Sequence, residues 1–228
     1  MVSGIPGGNI LLMMSDELDL LRKLHFGSVS EDELMDIFHR YRDNYRVLMH
    51  LAMHPKFPDN FALNIISRLN AVDLIRVIKN NRTNPFTRKK AELEFQQKYN
   101  KFPLGEKLGY MKIAPYSLMV HLIEENDRRV VAAMLNGPYC TEDLVVRFIN
   151  RQTPRSSVYE ALVETEWYKR PSVAEAIAHD TEAPIRILIM TLPYLNRHSL
   201  RKLYENEATH EIVKKNIIEY LRSLNPGT

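Results

Sequence analysis

The stretch "VLMHLAMHPKFP", residues 47–58, decides how this chain is read, because "VAEAIAHDTEAP", residues 173–184, repeats its layout. Val47 matches Val173, Ala52 matches Ala178 and Pro58 matches Pro184, each pair 126 residues apart. The same displacement pairs Leu69-Asn70 with Leu195-Asn196, Leu74 with Leu200, Asn80 with Asn206, Thr83 with Thr209 and Lys89 with Lys215. A register kept without a gap from 47–95 to 173–221 points to an internal repeat, and three units of 42 residues fill the interval. That length falls in the HEAT or armadillo range of roughly 40–47 residues. "VVAAMLNGPYCT", residues 130–141, is a further copy, with Val130, Pro138 and Thr141 matching Val47, Pro55 and Pro58. A degenerate copy begins near Lys89, so units start near residues 47, 89, 130 and 173. "EIVKKNIIEYLRSL", residues 211–224, closes the chain as a fifth first helix.

The prolines mark the corners. Pro55 cannot continue a helix and pushes His54 out of helical geometry. Pro58 suits the first turn of the next helix, where its missing N–H costs nothing. Gly137-Pro138 and Pro184 do the same work later, and Thr141 followed by Glu142 and Asp143 reads as a helix start. Second helices are expected at about 58–69, 104–113, 141–151 and 184–195. Shorter third helices are expected at about 71–80, 115–125, 154–164 and 197–205. Upstream, Ser15 reads as an N-cap, Gly27 as a stop, and Ser30 with Glu33 as a capping box. Leu34, Ile37, Phe38 and Tyr41 then form an apolar stripe at helical spacing.

Composition narrows the chemistry. The chain has 228 residues, 45% hydrophobic and 26% charged, with eight Gly and a net charge of +3. This is ordinary soluble composition, and the low Gly content disfavours a β-rich fold. One cysteine, Cys140, forms no internal disulfide and holds no iron–sulfur cluster or multi-cysteine zinc site. It reads as a small residue at a helix entrance, and lone-cysteine usage favours the cytoplasm. No segment has the roughly 20 apolar residues of a membrane span, and the run Ile10 to Met14 is too short for a secretory core. Acidic residues crowd 16–36, while "TRKK" (87–90), Arg128, Arg129, Arg147, Arg151 and Arg155 make the middle more basic. These charges read first as solvated helix faces.

The segments "FPLGEKLGYMKIA", "VVAAMLNGPYCTEDLV" and the run from Trp167 through "IAHDTEAPIRILIMTLPYLNRHSLRKL" resemble a family of bacterial HEAT-like repeat proteins close to the leucine-rich repeat variant class. Pro103, Leu104, Gly105 and Lys107 match its Pro-Leu-Gly-x-Lys segment. Asn136, Pro138, Thr141 and Glu142 match its Asn-x-Pro-x-Leu-Thr-Glu segment. Trp167 and Pro184 match a later one, where Asp180-Thr181 replaces the family's Asn-Pro. The resemblance covers about 45–221 and implies an α-solenoid with no established reaction. The cysteine cluster of the founding leucine-rich repeat variant protein is missing, so its iron–sulfur cofactor is not carried over.

Catalytic patterns are few. His50 and His54 stand at i, i+4 and suit metal ligation, but no Glu follows His50, so His-Glu-x-x-His is absent, and structural histidines are the simpler reading. No phosphate loop or nucleophile elbow occurs. Glu124-Glu125 and Glu164/Glu166 read as exposed turns. Trp167 reads as a junction packing residue before a stacking platform. Arg147, Arg151 and Arg155 share a spacing that Pro154 interrupts. The expectation is therefore an all-α fold: a HEAT/armadillo-like right-handed α-solenoid of about four three-helix units. Residues 1–43 supply an N-terminal segment with two capping helices, continuous with a repeat array at 44–228. The expected function is a non-catalytic protein–protein interaction scaffold, with no cofactor and no metal. The second helices are expected to line the concave face, exposing Lys107, Lys112, Arg147, Arg151 and Arg186. The alternative is a nucleic-acid-binding solenoid of the DNA-glycosylase type using a basic concave face.

Overall fold

The computed structural model describes the backbone of residues 7–151 and 156–224, and side chains from residue 17 onward within those spans. Every regular element among the described residues is helical. The chain divides into two compact units, Met1–Lys101 and Phe102–Thr228.

The first unit holds α1 (Gly7–Phe26), α2 (Glu31–Arg40), α3 (Tyr45–Ala52), α4 (Asp59–Ile66), α5 (Ala71–Lys79) and α6 (Pro85–Tyr99). Two helices do precede α3. Ser15 does not cap the first of them: α1 begins at Gly7, and the Leu and Met residues before Ser15 are strong helix formers that carry the helix through it. Gly27 ends α1 as expected, with its N–H on the Lys23 carbonyl at 2.8 Å. A Cβ there would lie 2.6 Å from that oxygen. The capping box of α2 is formed, Ser30 accepting from the Glu33 N–H and Glu33 from the Ser30 N–H. α1 and α2 pack on α3, α3 on α4 and α5, and α4 and α5 on α6. α6 starts at Pro85, four residues before Lys89, because Asn84 caps it by accepting from the Phe86 N–H at 2.8 Å. Its Thr87, Ala91, Phe95 and Tyr99 are buried, and Lys89 of the basic run pairs with Glu92 at 3.2 Å.

The second unit holds α7 (Leu104–Met111), α8 (Tyr116–His121), α9 (Arg128–Leu135), α10 (Glu142–Ile149), α11 (Ser156–Glu164), α12 (Pro171–His179), α13 (Ile185–Thr191), α14 (Arg197–Glu205) and α15 (Glu211–Leu224). Single 3-10 turns sit at Trp167–Lys169 and Leu192–Tyr194. α7 packs on α9, α10 on α12 and α13 on α15, as α4 packs on α6 in the first unit. The expected closing helix is α15, residue for residue. The second helices stop two to four residues short of expectation. After α4 the chain tightens into bonds from Arg68 N–H to Ile65 and Leu69 N–H to Ile66, and after α13 the turn holding Pro193 closes with Leu195 N–H on the Leu192 carbonyl. The start of the third helix expected at 154 lies outside the described residues, as do Pro154 and Arg155.

Equivalent residues occupy equivalent places. Val47, Val130 and Val173 are each the third residue of their helix and each fully buried. Pro58, Pro103, Thr141 and Pro184 are N-caps of α4, α7, α10 and α13, one residue earlier than the first-turn position expected of Pro58. Proline's fixed φ holds the extended N-cap, at φ −62° and ψ 134° for Pro58. The corner bonds also recur. The His54 ring Nδ1 accepts from the Lys56 N–H and its carbonyl from Phe57; at Asp180 the carboxylate accepts from Glu182 and the carbonyl from Ala183. Asn80 and Asn206 make the same pair of bonds, to residues 82 and 83 and to residues 208 and 209.

One buried polar cluster ties α3 to α5. The Asp73 carboxylate accepts from Tyr45 Oη at 2.7 Å, Asn70 Nδ2 at 2.9 Å and Arg76 Nη1 at 2.7 Å. Burial, and then the neighbouring carboxylate against the lowering effect of the Asn70 N–H, raises the Tyr45 phenol above its ordinary value. Asp73→Ala strands the phenol and the amide without an acceptor. It is expected to cost about 2 kcal/mol, read as a lower urea midpoint with unchanged slope, whereas Tyr45→Phe costs about half as much.

Candidate functional site

An apolar depression on the second unit lies between α14 and α15. α14 starts at the Asn196 cap, whose side chain accepts from the Ser199 N–H at 2.8 Å. It turns Leu200 and Leu203 inward. α15 buries Val213 and Ile217. Ile217, Ile218, Leu221 and Leu224 fall within about 120° of one another round α15, so its apolar side is wider than the buried Val213–Ile217 strip. Leu200, Tyr204, Ile217, Ile218, Leu221 and Leu224 line a groove of about 380 Å³, with Arg197 and Arg201 on its border. Tyr204, Leu221 and Leu224 are exposed. The doublet Ile217-Ile218, followed by Leu221 and Leu224, carried this signal in the sequence, because a narrow apolar stripe does not need it.

The five cations expected on the second helices have different fates. Lys112 ends α7 and is exposed. Lys107 is mostly covered, with Glu125 at 3.6 Å. Arg147 is exposed but pairs with Asp143 at 2.9 Å. The Tyr116 hydroxyl and then Arg147 hold the Asp143 carboxyl below the usual range. Arg186 is exposed in a separate cleft of about 360 Å³ beside Tyr159, Glu160 and Ile187. Arg151 departs from the expectation of exposure: it is 4% exposed. It sits past the end of α10, where its guanidinium donates to the carbonyls of Ile123 and Glu125 at 2.8 and 2.6 Å, to Asn126 Oδ1 at 2.9 Å and to Ser157 Oγ at 3.3 Å. Free carbonyls after α8 draw this planar donor inward.

Trp167 stands at the junction of α11 and α12. Its indole N–H donates to the Leu135 carbonyl at 2.9 Å, so it caps the end of α9, as the packing reading expects. The Arg170 guanidinium lies 5.9 Å from the ring centroid. The turn before it is strained: Glu166 has φ 60° and ψ 14°, a left-handed conformation that suits Gly or Asn. Its carboxylate pairs with Lys169 across the same turn.

His50 and His54 are committed to structure. Each Nδ1 is engaged, His50 with the Arg46 carbonyl at 2.9 Å and His54 with the Lys56 N–H at 3.2 Å. Among the described residues no group of three His, Cys, Asp or Glu side chains is placed to hold a metal. Burial pushes the Cys140 thiol up to about 12, so it is protonated at neutral pH and a poor nucleophile. Among the described residues no helix is long and apolar enough to cross a membrane. Comparison of the chain with known protein families, with curated proteins and with solved structures finds no match in any of the three.

Two substitutions check these assignments. Arg151→Met removes the guanidinium donors to the Ile123 and Glu125 carbonyls and to Asn126 Oδ1, and is expected to cost about 2–4 kcal/mol, seen as a lower unfolding temperature. Glu166→Gly relieves the left-handed strain and is expected to gain about 1 kcal/mol, because the surface pair with Lys169 contributes little.

Proposed function

We propose that the chain is a cytoplasmic HEAT-like α-solenoid, right-handed, that acts as a non-catalytic protein-binding scaffold. The resemblance at Pro103–Lys107, Asn136–Glu142 and Trp167–Pro184, and the recurrence of corner bonds 126 residues apart, support the architecture. The observation that carries the function is the groove between α14 and α15. It leaves Tyr204, Leu221 and Leu224 in water beside two guanidinium groups. A contiguous exposed apolar strip bordered by charge marks a protein contact more often than a reaction site. The occupant that fits is an amphipathic segment of a partner protein, apolar on one side and acidic at its flank, because Arg197 borders the groove beside Arg201, which is paired with Glu205 at 2.7 Å. The nucleic-acid alternative draws less support, because Lys107 and Arg147 face carboxylates and Arg151 is buried.

The decisive comparison is between the wild-type protein and Leu221→Glu in affinity capture followed by measured binding of the captured partner. The side chain is exposed, so the variant folds, and affinity is expected to fall about tenfold or more as a buried anchor is lost. Equal affinity in the variant overturns the groove. Tight binding of a labelled DNA duplex, falling steeply as salt rises, overturns the protein-scaffold reading in favour of nucleic acid.

A further inference from the structure

The first unit carries a second depression that the scaffold reading does not use. It measures about 260 Å³ and opens where α1, α3 and α5 end together. Its lining divides in two. Leu24, Met53 and Pro55 form an apolar floor. Around them stand three imidazoles, His25, His50 and His54, two guanidinium groups, Arg76 and Arg82, and the Asn80 amide. No carboxylate is among the lining residues.

Basic side chains often gather at helix ends to satisfy free carbonyls, and that duty is partly discharged here by other groups. Gly27 N–H takes the Lys23 carbonyl, His54 N–H takes Leu51, and Thr83 Oγ1 takes Met53 at 3.2 Å. Arg82 gives one N–H to the His25 carbonyl at 2.6 Å, which anchors the guanidinium at the rim with most of its five donors unspent on that bond. Arg76 shares its charge with the buried Asp73, so Arg82 supplies the surplus charge and the imidazoles supply ring N–H donors and acceptors. The tautomers follow from the bonds. His54 accepts at Nδ1 and therefore carries its proton on Nε2. His50 donates at Nδ1, leaving Nε2 to accept from a protonated oxyanion or, when charged, to donate to an ionised one.

We propose that this pocket binds a phosphate monoester, its phosphoryl oxygens held by Arg82, Arg76 and the imidazoles and its apolar group resting on Leu24, Met53 and Pro55. A guanidinium fork and ring N–H donors suit a tetrahedral oxyanion, and the pocket volume accommodates a phosphoryl group with a small apolar substituent. Burial, and after it the charges of Arg82 and Lys56, holds the His54 imidazole below its ordinary value, so His54 offers a neutral ring.

The test is calorimetric titration of the full chain with phenyl phosphate and with inorganic phosphate, chloride replacing them at constant ionic strength. One saturable site is expected, with phenyl phosphate the tighter because it alone meets the apolar floor. Arg82→Gln keeps a donor for the His25 carbonyl and removes the charge, so affinity is expected to drop roughly tenfold or more; Arg222→Gln, in the other unit, leaves it unchanged. The histidine ring resonances give a second readout independent of the variant: phenyl phosphate shifts those of His50 and His54 and leaves His198 and His210 still. Absence of saturable heat, equal binding by Arg82→Gln, or ring shifts spread over all histidines overturns the site. Inorganic phosphate binding as tightly as the ester overturns the monoester assignment.

Discussion

Helices of eight residues do not hold together alone in water. α3, α4, α7, α9 and α10 all have that length, well under the roughly 12–15 residues at which an isolated helix becomes marginal. Each exists because a neighbour covers its apolar side. Val47 in α3 and Val130 in α9 show that dependence in the first turn, where each is wholly enclosed. The rest follows from it. Short helices have many ends, ends leave carbonyls and N–H groups unmet, and the chain spends its asparagines, histidines and Arg151 on them. The groove between α14 and α15 leaves apolar area of Tyr204, Leu221 and Leu224 exposed.

Most helix positions were legible from punctuation. Prolines at 58, 103 and 184 and the Ser30–Glu33 box place helix starts to within a residue, because a fixed φ or a paired side chain leaves few options. Ser15 misled for a physical reason. A serine favours a cap only when the residues before it resist helix, and "NILLMM" does not. The ends of second helices were overestimated because the tightening after Ile66 and before Pro193 depends on packing rather than on local preference.

Side-chain fate was less legible than backbone. Arg147 on α10 and Arg151 just past its end share residue type and an i, i+4 spacing, yet one is exposed and the other enclosed. What separates them is the set of carbonyls after α8, some 25 residues upstream, and no local pattern announces that meeting. The metal reading of His50 and His54 was open in the sequence for the same reason: their i, i+4 spacing is visible, but their commitments to Arg46 and Lys56 are not. Trp167 shows the opposite case, since a lone indole before a helix has one polar atom to place, and an adjacent helix end is the nearest acceptor.

The hydrogen bonds that fasten one helix to another have a common reach along the chain. Tyr45 to Asp73 spans 28 residues, Thr83 to Met53 spans 30, Arg151 to Ile123 spans 28 and Trp167 to Leu135 spans 32. Arg82 to His25, at 57, is a longer exception. A chain fastened at this range can complete each corner soon after about thirty further residues have left the ribosome, with no need to await its far end. Loop closure at such lengths is inexpensive, and each doubling adds only about 0.6 kcal/mol. Each corner is thus completed from residues close to it in the chain, without help from distant segments.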